Sequence, residues 1–472
     1  MVEKHTGLKH ALPMRQMTMI AIGGVIGAGL FVGSGAVIHE MGPAAIISYL
    51  LAGIIVVLVM RMLGEMAIAN PTTGSFSEYA NTAIGSWAGF TTGWLYWYFW
   101  VIVIAIEAIA AGAIVVSWFP QLPIWITPFV VITIMMTTNL FSVSIYGEFE
   151  FWFVCIKVAA IVLFIAMGVV AIVGFLPGNY VPDVGRNLFG YGGFMPKGAL
   201  SILNGVVIII FSFFGVEIAT IAAGEANNPK ESVARATNSV AFRILFFYVG
   251  SISIVVMLLP WQDSAILQSP YVAVLMRLNV PAAAEIMNFV ILTAVLSCLN
   301  SAIYSSSRML YALSRQGSAP LVFCYTNNKK VPIYAVLISS AIGYIGLLIN
   351  YFSPEAVFFF LLNASGGAAL FIYLTVAFSE LLTRRKMEKD KLQLLKLKMW
   401  CYPYLTLLII AILIAILVSM AFIPVMRSQF FLSSGIAILL ILCGLLRQKY
   451  LLNKPKYNKN KYLIKEAKNI IE

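Results

Sequence analysis

Three ionisable side chains stand inside otherwise apolar stretches of the chain. They are Glu107 in Ile104-Ala105-Ile106-Glu107-Ala108, Lys157 in Val154-Cys155-Ile156-Lys157-Val158, and Glu217 in Phe213-Phe214-Gly215-Val216-Glu217. A charge in an apolar medium is expensive, so such a group is either paired or put to use. Glu107 suits a cationic ligand, a proton or a lysine partner, and equally a hydrogen-bonded structural carboxyl. Lys157 suits proton carriage, because an ammonium held at low dielectric is poised to give its proton up. The alternative is a permanently charged strut reaching backbone carbonyls. Glu217 suits proton uptake or gating, or else fixing the backbone beside it.

Glycines suggest a second kind of chemistry. Gly23, Gly24, Gly27, Gly29, Gly33 and Gly35 fall within thirteen residues, and a glycine inside a helix costs about 1 kcal/mol relative to alanine. A helix so weakened is expected to unwind, leaving N–H groups and the positive end of the following half-helix to hold a carboxylate. Close helix packing through small residues (Gly23 with Gly27, Gly29 with Gly33) explains the same pattern. A second interruption at Phe211-Ser212-Phe213-Phe214-Gly215 offers the carbonyl oxygens of Phe211, Ser212 and Phe214 to an ammonium. Carboxylate at one break and ammonium at the other describe an amino acid. Further along, Ser297, Asn300, Ser301, Tyr304, Ser305 and Arg308 make a polar stripe at helical spacing. It suits the lining of a pathway, or interhelical hydrogen bonding alone. Asn363-Ala364-Ser365-Gly366-Gly367 is another weak point, and the aromatic run Trp94 to Trp100 reads as packing and interfacial anchoring.

The elements that must position these groups are membrane helices. Of 472 residues, 61% are hydrophobic and only 11% charged, against about 25% charged in a typical soluble domain. A soluble enzyme, a disordered chain and a disulfide-rich secreted domain are excluded. A helix needs about 20 apolar residues to cross a bilayer. Twelve such segments are expected near 17–38, 43–66, 87–113, 123–143, 151–174, 199–223, 241–260, 281–313, 332–351, 355–381, 402–423 and 430–447. They group as a tail at 1–16, a five-helix set at 17–174, a second at 199–381, two extra helices at 402–447 and a basic tail at 448–472. Of the 31 Lys and Arg residues, 24 fall on one side of this arrangement, with seven in 384–398 and eight from Arg447 onward. By the positive-inside rule that side is cytoplasmic, and both termini with it. The net charge of +12 therefore reports orientation in a lipid bilayer and not a nucleic-acid partner.

Little else carries chemistry. Cys155, Cys298, Cys324, Cys401 and Cys443 are scattered without a C-x-x-C pair. His5, His10 and His39 fall in the tail and in an outer loop, so no zinc cluster is expected. No phosphate-binding Gly-rich loop occurs, and no cofactor or obligatory protein partner is implied. A membrane-embedded enzyme would need a nucleophile–base or metal constellation that the spans lack. A channel would more commonly build an open pore by oligomer symmetry.

The chain resembles the amino acid permeases of the amino acid–polyamine–organocation superfamily, and the bacterial amino acid transporter family within it. The strings that carry the resemblance include GGVIGAGLFVGSG (23–35), PTTGSFSEYA (71–80), YGEFEFWFVCIKV (146–158), SCLNSAIYSSSRMLYALSRQGSAP (297–320) and KMW (398–400). Together with others they span roughly residues 7–447. Ala28 within IGAG, PIW at 123–125, IYGEFEFW at 145–152 and RATNSV at 235–240 are most similar to the permeases for 4-aminobutyrate. The resemblance implies an all-α LeuT-like fold of two inverted five-helix repeats plus two extra helices. It also implies uptake of an amino acid with protons by alternating access, at a bacterial inner membrane, with exchange or an aromatic substrate as the nearest alternatives. On this sequence the carboxylate site becomes the backbone of Gly27, Ala28 and Gly29 with Gly23 at the break. The amino site becomes Phe211, Ser212 and Phe214, with Phe211 at the position of an aromatic gate. Lys157 falls where sodium-coupled relatives of the fold bind a cation.

Overall fold

The computed structural model describes residues 13–141, 143–175, 182–222, 225–226, 228–280, 282–352, 354–387, 395 and 397–452. Among them the regular elements are helices. The first expected segment is three pieces: α1 (Met14–Gly23), the single turn α2 (Ala28–Phe31) and α3 (Gly33–Met41). Gly42 then turns the chain with φ +66°, where a Cβ would lie 2.6 Å from Pro196, a conformation that only glycine adopts without strain. Next come α4 (Ala45–Ala69), the short α5 (Ser75–Ala83), α6 (Ser86–Trp118), α7 (Ile126–Phe141) and α8 (Val143–Ile172).

The second half repeats the opening motif of a broken helix, α9 (Leu200–Phe213) and α10 (Ile218–Ala222). Then α11 (Pro229–Arg243) runs through a π-helical segment, Ile244–Gly250, into α12 (Ser251–Leu258). The chain continues through α13 (Pro270–Arg277), α14 (Ala283–Arg315), α15 (Ile333–Phe352), α16 (Pro354–Lys386), α17 (Tyr404–Phe422) and α18 (Pro424–Leu452). Ten helical runs among the described residues are long and apolar enough to cross a membrane. One of them, Ala28–Ala69, joins α2, α3 and α4, while α7 is apolar but shorter.

Helix ends depart from the apolar runs for a physical reason. Polar residues extend a helix wherever their side chains find partners, and proline sets where a first turn begins. Thus α8 starts at residue 143 instead of 151, because buried Tyr146 and Glu150 face other helices. The 241–260 segment begins at Pro229, and the 430–447 segment runs from Pro424 to Leu452. His39 lies on α3, because that helix continues to Met41, and its ring meets Trp261 edge-on at 6.3 Å. His5, His10 and the basic tail beyond 452 lie outside the described residues.

α6 is the centre of the bundle, packed against α14, α16, α15, α5, α7 and α18. The most apolar window of the α9–α10 run is wholly buried, whereas only 22% of that of α18 is. Large apolar side chains such as Leu163 and Leu446 face outward, as a lipid-facing surface requires. The KMW string acts as a clasp. Glu65 of α4 accepts from Arg384 of α16 at 3.0 Å and from the Met399 N–H at 2.6 Å, and the Arg61 guanidinium lies 4.0 Å from the Trp400 ring.

Candidate functional site

Between α1 and α2 the helix is interrupted at residues 24–27: the Gly24 N–H still closes α1 on the Ile20 carbonyl at 3.2 Å, and Gly27 is extended. Several of the polar groups around this break find partners on other elements. The Ala28 N–H, at the start of α2, points at both oxygens of Glu107, 3.0 and 3.2 Å away. On the carbonyl side, Lys157 Nζ donates to Ile26 at 2.9 Å and the Tyr248 hydroxyl lies 3.0 Å from the Val25 oxygen. Cys298 Sγ lies 3.5 Å from the Gly24 oxygen. Glycine is needed at 27 for close approach, since a Cβ there would sit 2.6 Å from Glu107 Oε1 and 2.8 Å from Cys298 Cβ.

The second break is built more locally. Phe214 turns extended after α9, and Gly215 takes φ +123°. Glu217 Oε2 accepts the Gly215 N–H at 2.8 Å, and its Oε1 accepts the Tyr96 hydroxyl at 3.2 Å. The Thr220 hydroxyl donates to the Glu217 carbonyl at 2.7 Å. A Cβ on Gly215 would overlap the carbonyl oxygen of Gly24. The two breaks therefore touch, backbone against backbone.

Val25 and Gly29 from the first break, with Phe211, Ser212 and Phe214 from the second, face a common small cavity of about 10 Å³, the room of a single water. α6 supplies Phe99, Trp100 and Glu107 to its walls, and α14 supplies Cys298. The walls are aromatic, with Phe99 and Phe214 ring centroids 4.1 Å apart. The Ser212 hydroxyl is buried and makes no hydrogen bond, while its carbonyl lies 2.9 Å from the Tyr248 hydroxyl. A Cβ at Gly29 would sit 2.8 Å from the Ser212 hydroxyl, so glycine is what lets the two breaks approach this closely. The arrangement presents a helix start, a hydroxyl and a carboxylate within apolar walls, the lining of a small-molecule site closed down around little free space.

The structure brings Gly27, Ala28, Gly29, Glu107, Phe211, Ser212 and Phe214 to one place. Gly23 closes α1 just before the break, Lys157 stands behind the break, and Glu217 lies under the second one. Asn300, Ser301 and Tyr304 lie elsewhere, within interhelical contacts. Asn139 donates to Asn300 Oδ1 at 2.6 Å, and the hydroxyls of Tyr146 and Ser301 are 3.1 Å apart. Tyr304 donates to Glu225 at 2.9 Å, beside the buried Arg308–Glu225 ion pair. α16 runs unbroken past Gly366 and Gly367, where a Cβ would meet the Val207 carbonyl or Ser433. Those two glycines serve close packing.

Trp100, Phe99, Cys298 and Tyr248 were not among the expected site residues. Within the aromatic run, Trp94 and Trp97 do anchor, donating to the Ser318 carbonyl and the Ser339 hydroxyl. Trp100 instead shares a helix face with Val103 and Glu107. That three-and-four spacing was the available signal. Tyr248 carries no local signal, because its role depends on a π-helical segment meeting two distant carbonyls.

Residues 16–461 match the model of the amino acid permease family. The chain is 54% identical to the gamma-aminobutyric acid permease of Bacillus subtilis (strain 168) over 449 residues, covering 95% of this chain and 96% of that protein. It is 48% identical to the gamma-aminobutyric acid permease of Escherichia coli (strain K12) over 433 residues, covering 92% of each. An aromatic amino acid transport protein of Corynebacterium glutamicum is 38% identical over 434 residues, covering 91% of this chain and 93% of that one.

Proposed function

The chain belongs to the amino acid permease family, a family of multi-pass membrane transporters and not of enzymes, and from that premise we propose that it imports 4-aminobutyrate together with protons. The bilayer is the bacterial inner membrane, crossed twelve times with both termini cytoplasmic. Support for that orientation comes from the clustering of Lys and Arg on one side. Two broken helices, at the first positions of the two five-helix sets, support an inverted-repeat LeuT-like fold and alternating access.

The observation that carries this reading is the contact between the two breaks beside a small aromatic-walled cavity. The substrate carboxylate takes the N–H groups of Gly27, Ala28 and Gly29 at the start of α2, with Gly23 as the flexing point. The substrate ammonium takes Ser212 and the carbonyls of Phe211 and Phe214. In the conformation described, Glu107 already holds the Ala28 N–H. A substrate carboxylate therefore competes with Glu107 for one donor, and protonation of Glu107 releases it. Lys157 carries the coupled proton and holds the first break through the Ile26 carbonyl. Glu217 gates from beneath the second. Asn300, Ser301 and Tyr304 line the cytoplasmic pathway once their interhelical bonds part. The gamma-aminobutyric acid permeases among the relatives support the choice of substrate.

Purified protein in proteoliposomes tests the reading. An inward proton gradient should drive accumulation of labelled 4-aminobutyrate, and unlabelled 4-aminobutyrate should compete better than aromatic amino acids, proline or lysine. Failure of 4-aminobutyrate to compete would exclude it as substrate. Flux that neither saturates nor responds to countersubstrate would exclude a carrier altogether. Accumulation driven only by an internal amino acid, indifferent to the proton gradient, would identify an exchanger.

A further inference from the structure

Glu150 stands in Tyr146-Gly147-Glu148-Phe149-Glu150, just ahead of the apolar run expected from 151. On α8 it lies two turns before Lys157, on the same face of that helix. Both side chains are fully buried. Lys157 Nζ donates to Ser297 Oγ at 2.9 Å, and Ser297 Oγ donates to Glu150 Oε1 at 2.5 Å. The two bonds run in the same direction, from ammonium to carboxylate. The other carboxylate oxygen, Oε2, is buried without a hydrogen-bond partner. A buried oxygen left so is costly, a cost that protonation of the carboxylate lowers.

We infer that Glu150 is the group that exchanges a proton with Lys157, through the Ser297 hydroxyl. The inference rests on Lys157 being the coupling residue. In the step, Lys157 gives a proton to the Ser297 oxygen while the Ser297 hydroxyl hydrogen passes to Glu150 Oε1. The ammonium becomes an amine, the carboxylate becomes a carboxyl, the serine is regenerated, and the net charge of the group stays zero. No uncompensated buried charge arises, which is what makes transfer inside the bundle feasible. The neighbouring charged and titratable groups leave this pairing intact. Arg308 of α14 is matched by Glu225 at 3.0 Å, Tyr304 donates to the same carboxylate, Tyr146 lies against Ser301, and Glu107 and Cys298 sit at the first break. The proton's position then decides how firmly the Ile26 carbonyl is held, linking protonation to the first break.

The test compares Lys157→Gln, Glu150→Gln, Ser297→Ala and Ser297→Thr in proteoliposomes carrying a trapped pH-sensitive dye. Substrate-dependent proton entry and labelled 4-aminobutyrate accumulation are followed across a range of pH. Glu150→Gln and Ser297→Ala should lose proton-driven accumulation on the order of a hundredfold, with part of the counterflow retained, and Ser297→Thr should restore the parental pH profile. If Lys157→Gln loses the drive while Glu150→Gln and Ser297→Ala keep the parental pH profile, the relay is overturned and Lys157 keeps its role. If Lys157→Gln itself accumulates normally, the underlying reading fails and the relay with it. Should Glu150→Gln not fold, the Ser297 pair decides: equal accumulation by the alanine and threonine variants overturns the relay.

Discussion

The two helix breaks meet each other, yet they are held in opposite ways. The first, at residues 24–27, has its polar groups engaged by four separate elements: Glu107 from α6, Lys157 from α8, Cys298 from α14 and Tyr248 from the π-helical segment. The second closes more on itself, although Tyr248 also reaches its Ser212 carbonyl and Ser75 its Thr220 hydroxyl. Glu217 caps the Gly215 N–H two residues back, and Thr220 returns to the Glu217 carbonyl, with Tyr96 as the outside contact of that carboxylate. A break tied to four elements changes when any of them moves or changes charge. A self-capped break keeps its shape while its surroundings move. Under the proposed mechanism the first break would sense protons, and the second would be a pre-formed half of the site.

The contrast can be broken in graded ways. Lys157→Gln removes the cation behind the first break and should have the largest effect. Proton-driven accumulation should fall on the order of a hundredfold, while counterflow persists in part; unchanged concentrative uptake would reject the sensing role. Gly215→Ala comes next. Its φ of +123° and overlap with the Gly24 carbonyl should cost about 1–3 kcal/mol. A Cβ on Gly24 meets mainly the flexible end of Ile218, so Gly24→Ala should lower the melting temperature less. The reverse order would mean that the contact between the breaks is not tight.

Tyr96→Phe removes the hydroxyl that Glu217 accepts and should cost about 1 kcal/mol. It should slow turnover with little change in the proton dependence of uptake; a displaced pH profile would mean that the second break senses protons too. Arg15→Ala should do least. Its pair with Glu148 is solvent-exposed, at 63% and 46%, and such pairs contribute between about 0 and 1 kcal/mol. A transport defect as large as that of Tyr96→Phe would show that the entry to α1 is not an ordinary surface contact.

Much of this was legible in residue order because membrane folding imposes strong local rules. Glu107, Lys157 and Glu217 stand out against apolar surroundings, and glycine density marks the first break. Glu150 did not stand out, because it sits among polar residues at the edge of an apolar run. Only the start of α8 at 143 puts it inside the bundle. Trp100 was hidden for a different reason. It lies in a run rich in aromatic residues, where composition cannot say which ring faces a cavity. α5 leaves no mark in the sequence because nine residues with buried Phe76 and Tyr79 are too few for a membrane signal.

The sequence by itself determined that this is a helical membrane protein of the amino acid permease type, with charges that lipid would not tolerate unpartnered. It did so because hydrophobic length, glycine cost and charge burial are properties of a segment and its solvent. Tertiary structure alone decided the pairings: Glu107 to the Ala28 N–H, Lys157 through Ser297 to Glu150, and Gly215 against Gly24. Those contacts join residues up to about two hundred positions apart. They depend on where helices cross and how they are rotated, which is set by packing across the whole bundle.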